Sequence, residues 1–281
     1  MIVAELIGGL GNQMFQYAVG RVISYKNNDI LKLDITEFKN YQLHNGYRLS
    51  DFNIHENIAA NDEIKSIGMR SRVLKKLARM GIYNYKKGTF YVEKSQNETK
   101  FDPKIFLYKN LYLSGYWQNE NYFVDIKNIL IKEFTLKNSI GKCAAKYMDL
   151  IKNTNSISVH IRRGDYLSLD WFLGIEYYKK ALEYMNTQIT DPSFFIFSDD
   201  IEWCKNNLDF IQNVVYIEET NNELEDLELM KNAKHNIIAN SSFSWWAAWL
   251  NENKDKIIIA PKVWFKHRVD FDPVPDSWVK L

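Results

Sequence analysis

Five short apolar runs organise the second half of the chain: "SISVH" at 156–160, "SFFIF" at 193–197, "NVVYI" at 213–217, "NIIAN" at 236–240 and "KIIIA" at 256–260. Each is short, continuous and bounded by polar residues, which predicts strands in a sheet covered on both faces. Between them, "IEYYKKALEYMNTQ", "IEWCKNNL", "ELEDLELMKNA" and "SWWAAWLNEN" carry apolar residues at helical spacing. Strand and helix alternate as in βαβ units, so the pattern predicts a parallel sheet with helices on either side.

The first half is less regular. "IVAELI" at 2–7 reads as a strand, "GGLGNQ" as a turn and "MFQYAVGRVISYKNN" as a helix. "DILKLDI" at 29–35 is a second strand, and "LYLSGYWQNENYF" at 111–123 a strand, a turn and a helix. A helical pattern then runs over 126–152. Residues 40–105 mix aromatic and polar positions without a period and support no assignment. The polar stretch "KNTNS" places a domain boundary between 152 and 153, dividing the chain into 1–152 and 153–281.

Composition narrows the function. With 281 residues, 46% hydrophobic and 25% charged, the chain can bury a sizeable core. A net charge of +1 argues against nucleic acid as the main partner. The one basic cluster, "RSRVLKKLAR" at 70–79, places its leucines and Val73 at helical spacing. It reads as a solvated helix face, with a membrane-surface contact as the alternative. The two cysteines, Cys143 and Cys204, stand apart, as in a protein of a reducing compartment. The first residues lack a basic leader and carry Glu5 in the apolar run, so they read as a strand. No apolar run approaches a membrane span, and the five histidines show no metal-ligand spacing, so a zinc site has no support in the sequence.

In an open parallel sheet ligands bind beyond the carboxyl ends of the strands. The unusual residues of the second half fall there. Arg162, Arg163 and Asp165 follow the first of its strands; Ser198, Asp199 and Asp200 follow the next. Asn240, Ser241, Ser242, Phe243 and Ser244 precede the tryptophan-rich helix. Arginine presents a rigid fork suited to phosphate, and a helix start lined with hydroxyls is an anion site. Each cluster also has a plainer reading. Serines cap helices, Asp200 caps "IEWCKNNL", and Asp165 orients an arginine. Asp199 is then left to accept hydrogen bonds from a base or ribose. Trp245, Trp246 and Trp249 read as core. In "GGLGNQMF", Gly9 and Gly11 fit part of a dinucleotide fingerprint with Asp34 as the ribose acid, but Met14 stands where a small residue is needed.

"GGLGNQMFQYA", "LSGYWQ", "VHIRRGDY", "FSDD" and "NSSFSWWAAWL", in that order, resemble the motifs of the α-1,2-fucosyltransferases of glycosyltransferase family 11. The tail "IIIAPKVWF" with "PDSW" resembles that family's ending. The resemblance implies an α/β, GT-B-like architecture of two facing Rossmann-like domains with parallel sheets. It implies inverting, metal-independent transfer of fucose from GDP-fucose to a galactose 2-hydroxyl, without cofactor. The second domain would bind the donor and the first mainly the acceptor. Arg162 would contact the diphosphate, with Arg163 beside it or tying down the loop, and His160 and Asp199 would meet the nucleoside. Ser241, Ser242 and Ser244 would hold phosphate, while Gly11, Asn12 and Gln13 would face the donor sugar or acceptor. The enzyme would act in the bacterial cytoplasm or peripherally at the inner membrane, on a lipid-linked O-antigen or related glycan.

For the base that takes the acceptor's proton, Asp170 is the candidate, because Trp171 and Phe172 beside it promise partial desolvation; the alternative is an ordinary loop residue there and a base from the first domain. Asp165 is expected to pair with Arg163 and fix the loop. Two competing readings stand: a nicotinamide-dependent oxidoreductase using the "GGLGNQ" turn, and a non-catalytic nucleotide- or glycan-binding protein.

Overall fold

The computed structural model describes residues 1–39, 45–67, 72–82, 90–95 and 98–281. Part of the 40–105 stretch, including the start of the basic cluster, lies outside the described residues. The chain falls into two units, Met1–Lys137 and Asn138–Leu281.

The first unit runs β1 (Ile2–Glu5), α1 (Leu10–Asn27), β2 (Leu31–Asp34), α2 (Asn61–Ile67), α3 (Arg72–Arg79), β3 (Phe90–Val92), β4 (Leu111–Ser114) and α4 (Lys127–Glu133), with short 3-10 turns between. Its strands pair in parallel in the order β2-β1-β4-β3. Every residue of β1 and β4 is buried, as in a sheet with both faces covered. Helix α1 starts at Leu10, earlier than the apolar spacing indicates, so Asn12 and Gln13 stand in its first turn. It lies close on the sheet at Gly20, where an added Cβ would meet Leu31 Cδ1 at 2.7 Å and Ala4 Cβ at 3.0 Å. Strand β3 lies in the stretch without hydrophobic period.

The second unit runs α5 (Lys142–Asn153), β5 (Asn155–Ile161), α6 (Gly164–Ser168), α7 (Ile175–Gln188), β6 (Pro192–Ser198), α8 (Ile201–Asn207), β7 (Val214–Tyr216), α9 (Glu223–Asn232), β8 (His235–Ile237), α10 (Ser242–Leu250), β9 (Ile258–Ala260) and β10 (Val279–Lys280). All six strands are parallel, in the order β10-β9-β8-β5-β6-β7. The helical pattern over 126–152 is two helices, α4 and α5. Because α5 packs on α9 and β5, it belongs to the second unit, and the division falls at 137/138 instead of 152/153.

Strand β5 explains the crevice. The chain builds outward from it through β6 and β7, then returns to lay β8 on its other side. The order reverses at β5/β8, and loops leaving such neighbours diverge and open a cleft at their carboxyl ends. Ile157, Val159 and Ile161 of β5 join the core beneath α7 and α8 with Tyr178, Leu182, Phe194 and Ile196. The alternate residues Ser156, Ser158 and His160 are buried too. Around Ser158 the polar face is matched: Asn236 Nδ2 donates to Ser158 Oγ at 2.7 Å, and Asn251 Nδ2 donates to Asn236 Oδ1 at 2.8 Å. Such a closed network avoids the cost of a buried unpaired amide.

Candidate active site

The turn after β5 is built around Asp199, from the end of β6. Its Oδ1 accepts the backbone N–H of Arg163 at 2.9 Å and of Gly164 at 3.1 Å. Its Oδ2 faces Arg162 Nη1 at 2.9 Å. Arg162 Nη2 meets Asp165 Oδ1 at 2.7 Å, and the guanidinium carbon lies 5.6 Å from the Tyr166 ring centre. Two carboxylates and an aromatic face therefore fix the planar fork, as a pre-organised anion contact requires. Gly164 is needed here: an added Cβ would lie 2.8 Å from Asp199 Oδ2.

Arg163 is turned to a different task. Its Nη1 pairs with Asp200, and its guanidinium carbon stands 4.6 Å from the Trp203 ring centre. Asp200 also caps α8 by accepting Trp203 N–H at 3.2 Å, and Ser198 Oγ accepts Asp200 N–H at 3.0 Å. Arg163 thus ties the loop to α8.

The opposite wall follows β8. Tyr166 Oη donates to the Asn240 carbonyl at 3.1 Å and bridges the two loops. Asn240 Nδ2 donates to the carbonyls of Trp171 and Trp264, both at 2.9 Å. Ser241 caps α10, accepting Phe243 N–H at 3.4 Å. Ser242 and Phe243 are half-buried, and the Phe243 ring lies 5.7 Å from the His160 ring.

Three buried polar atoms at this edge have no hydrogen-bond partner in the protein: His160 Nδ1, Arg163 Nε and Asn240 Oδ1. Buried polar groups are ordinarily matched, so unmatched atoms beside a cleft mark a place where a ligand would complete the bonding. Burial, with the Arg162 charge next, lowers the His160 pKa to about 3. The imidazole is therefore neutral and offers one donor and one acceptor.

Several expectations need correction. Asp199, expected to serve a base or ribose, has both its oxygens engaged by the arginine turn. Asp165 pairs with Arg162, not Arg163. Asp170 is not desolvated: its side chain is 66% exposed, 2.8 Å from Lys266 Nζ and 3.6 Å from His267 Nε2. The hydrogen bond from Lys266 holds its carboxyl below the usual range, the wrong direction for a general base at neutral pH. Trp171 instead packs its ring on Phe265 at 4.6 Å, while Asp170, at φ 52°, turns outward. Ser244 is fully buried and its hydroxyl donates to the Ser241 carbonyl at 3.4 Å, so it belongs to the helix interior.

In the first unit, Gly11 and Gln13 are buried. Gln13 Nε2 donates to the carbonyls of Gly8 and Gly46 at 3.0 and 2.8 Å, and its Oε1 accepts Arg48 N–H at 3.0 Å. It holds the turn together. Asn12 is half-buried, and its Oδ1 accepts Gln118 Nε2 at 2.8 Å. The oxidoreductase reading loses its acid. Asp34 is buried, with one oxygen accepting Thr36 Oγ1 at 2.6 Å and the other accepting Tyr112 Oη at 2.6 Å. Met14 is fully buried core.

Sequence reasoning did not single out Tyr166, Trp203 or Glu93. Tyr166 lies inside "VHIRRGDY", next to an acid already weighed, and that adjacency was the available signal. Glu93, 24 residues before Trp117, accepts its N–H at 3.0 Å and that of Tyr116 at 2.6 Å, fixing the turn after β4. Burial pushes its carboxyl up to about 8. Among the described residues no group of three or more His, Cys, Asp or Glu side chains is placed to hold a metal ion. No helix among them is long and apolar enough to cross a membrane.

Comparison with known proteins gives the family. The sequence model of Glycosyl transferase family 11 matches residues 1–271. An alpha-1,2-colitosyltransferase of Escherichia coli is 40% identical, over 100% of this chain and 99% of its own. The O-antigen biosynthesis glycosyltransferase WbnK of Escherichia coli is 31% identical over 98% and 99%. Human galactoside alpha-(1,2)-fucosyltransferase 1 is 27% identical over 50% of this chain and 43% of its own. Among solved structures, the fucosyltransferase NodZ from Bradyrhizobium matches with a TM-score of 0.51 at 11% identity, over 88% of this chain and 91% of that one. That likeness concerns the fold, α/β with parallel sheets and of the GT-B type that the resemblance implies.

Proposed function

Because the chain belongs to glycosyltransferase family 11, we propose that it moves L-fucose from GDP-fucose to the 2-hydroxyl of a galactose, with inversion, in an O-antigen precursor or related glycan. The observation that carries this is the Arg162 fork, held between Asp165 and Asp199 at the β5/β8 crevice. Those two carboxylates engage two of the five guanidinium donors, and the remainder of the fork serves the diphosphate. As the anomeric C–O bond breaks, charge grows on the leaving GDP. A fixed guanidinium then binds the transition state more tightly than the ground state. The start of α10, with Ser241 and Ser242, supports the same charge. His160 Nδ1 and Asn240 Oδ1, both without a partner in the protein, hydrogen-bond the nucleoside. Asn12 and Gln118 belong to the acceptor side, and the acceptor is galactose-terminated and lipid-linked. The enzyme works in the cytoplasm.

A second donor follows from the 40% identical colitosyltransferase. Colitose is fucose without its 3-hydroxyl, so the same phosphate site serves either nucleotide sugar. The test offers GDP-fucose and GDP-colitose with a set of β-galactosides and determines the product linkage by NMR. Fucose on oxygen 2 is the expected product. Transfer of colitose alone replaces the donor; GDP binding without transfer of either leaves the non-catalytic reading.

A further inference from the structure

Between Glu63 and Glu93 the chain holds eight of its 36 lysines and arginines and none of its 35 aspartates and glutamates. Helix α3 lies in this interval, and its described side chains are arranged against the usual pattern. Two cations point inward: Lys75 pairs with the buried Glu5 of β1, and Arg79 Nη2 lies 3.5 Å from Glu5 Oε2 and donates to Ser114 Oγ at 3.1 Å. Ala78 is buried with them. The opposite stripe, at helical spacing, is Val73, Lys76 and Met80, and all three are exposed. Val73 is 67% and Met80 54% exposed, and Ile82, just past the helix, is 67% exposed. Among the described side chains of the basic cluster, Lys76 is solvated as expected, and Val73 is exposed beside it. Ion pairs of Lys75 and Arg79 clamp the helix from beneath, while Val73 and Met80 face outward.

We propose that this face of the first unit docks on an anionic bilayer surface. Apolar side chains that enter the acyl boundary, surrounded by cations that meet lipid headgroups, are what interfacial binding requires. The cations of this stretch beyond Lys75 and Arg79, which Glu5 engages, select a negative partner. The exposed Val73, Met80 and Ile82 select one with an apolar layer, because a nucleic acid would leave them nothing to enter. Anchoring through Glu5 keeps the outward stripe in place without help from the membrane. The inference is independent of the donor nucleotide.

The test is co-sedimentation of the full chain with vesicles of phosphatidylglycerol or of phosphatidylcholine. Preferential partition onto phosphatidylglycerol, weakened by added salt, is the expected result. Lys76→Ala should lower it by about fivefold, the worth of one surface charge. The double variant Val73→Ser, Met80→Ser should lower it further, with unfolding temperature and GDP binding unchanged in both. Equal partition onto both lipids, no partition at all, or partition unaffected by the double serine variant overturns the proposal.

Discussion

Arg162 and Asp199 face each other at 2.9 Å through Nη1 and Oδ2, while the other oxygen of Asp199 holds the backbone on which Arg162 stands. One carboxylate therefore sets both the position of the arginine turn and the direction of its guanidinium.

Asp199→Asn keeps an acceptor for the two N–H groups but turns an amide donor toward Arg162. Because the loss falls on the phosphate contact, affinity for GDP and for pyrophosphate should drop together. The expected drop is about tenfold, the scale of one charge-assisted hydrogen bond. Calorimetry with both ligands checks this; a drop confined to GDP would return Asp199 to the nucleoside. Arg162→Lys keeps the charge and loses the fork, and should lower kcat more than it weakens GDP binding.

Gly164→Ala brings a methyl group to 2.8 Å from Asp199 Oδ2. The turn must shift, at a cost of about 1–3 kcal/mol, and GDP affinity should fall as in Asp199→Asn. Chemical denaturation and calorimetry on the same preparation separate the two effects.

Asp170→Asn should transfer sugar at close to the wild-type rate and leave the pH profile unmoved, since the exposed carboxylate is paired with Lys266 away from any desolvated pocket. Steady-state assays across pH decide it. Loss of turnover with GDP binding intact would restore Asp170 as the base.

Glu93 makes stability depend on pH in a stated direction. Its folded-state pKa, about 8, stands above the ordinary 4.5, so the folded chain holds the extra proton. Its contribution is complete below 4.5 and is lost as pH rises through about 8. His160 works in the opposite direction below 6.5, and Asp226, raised to about 6 by burial, ionises earlier than Glu93. From about 6.5 to 8, Glu93 is therefore the larger source of slope. The Tm of the wild type should fall over that range, and Glu93→Gln should flatten the fall.

Transfer should continue in excess EDTA, because the charge on the leaving diphosphate is met by Arg162 and the start of α10. Activity lost in EDTA and restored by Mg²⁺ or Mn²⁺ would reassign Asp199 and Asp200.

Strands β5 to β9 and their helices were legible because both periodicities are strong there: "SFFIF" lies within Pro192–Ser198, and "IEYYKKALEYMNTQ" is α7 residue for residue. Strand β3 and the two-residue β10 were not, since neither has a period to read. The three loops of the site were visible as clusters of unusual residues. How they divide the work was not. Arg162 and Arg163 are neighbours with different partners, and the choice depends on Asp199, Asp200 and Trp203, more than 35 residues away. Asp170 misled for the same reason: sequence neighbours with aromatic rings do not desolvate a side chain that the backbone turns outward.

The hydrogen bond from Tyr166 to Asn240 spans 74 residues of chain. The string "VHIRRGDY" is consequently half a receptor, and a fragment ending before β8 would carry the motif yet be blind to nucleotide. Binding then has no local route and reports on the whole second unit. A hundredfold excess of GDP over its Kd should raise the unfolding free energy of that unit by about 2.7 kcal/mol. Thermal shift can therefore serve as a census of correctly assembled molecules, even before an acceptor is in hand.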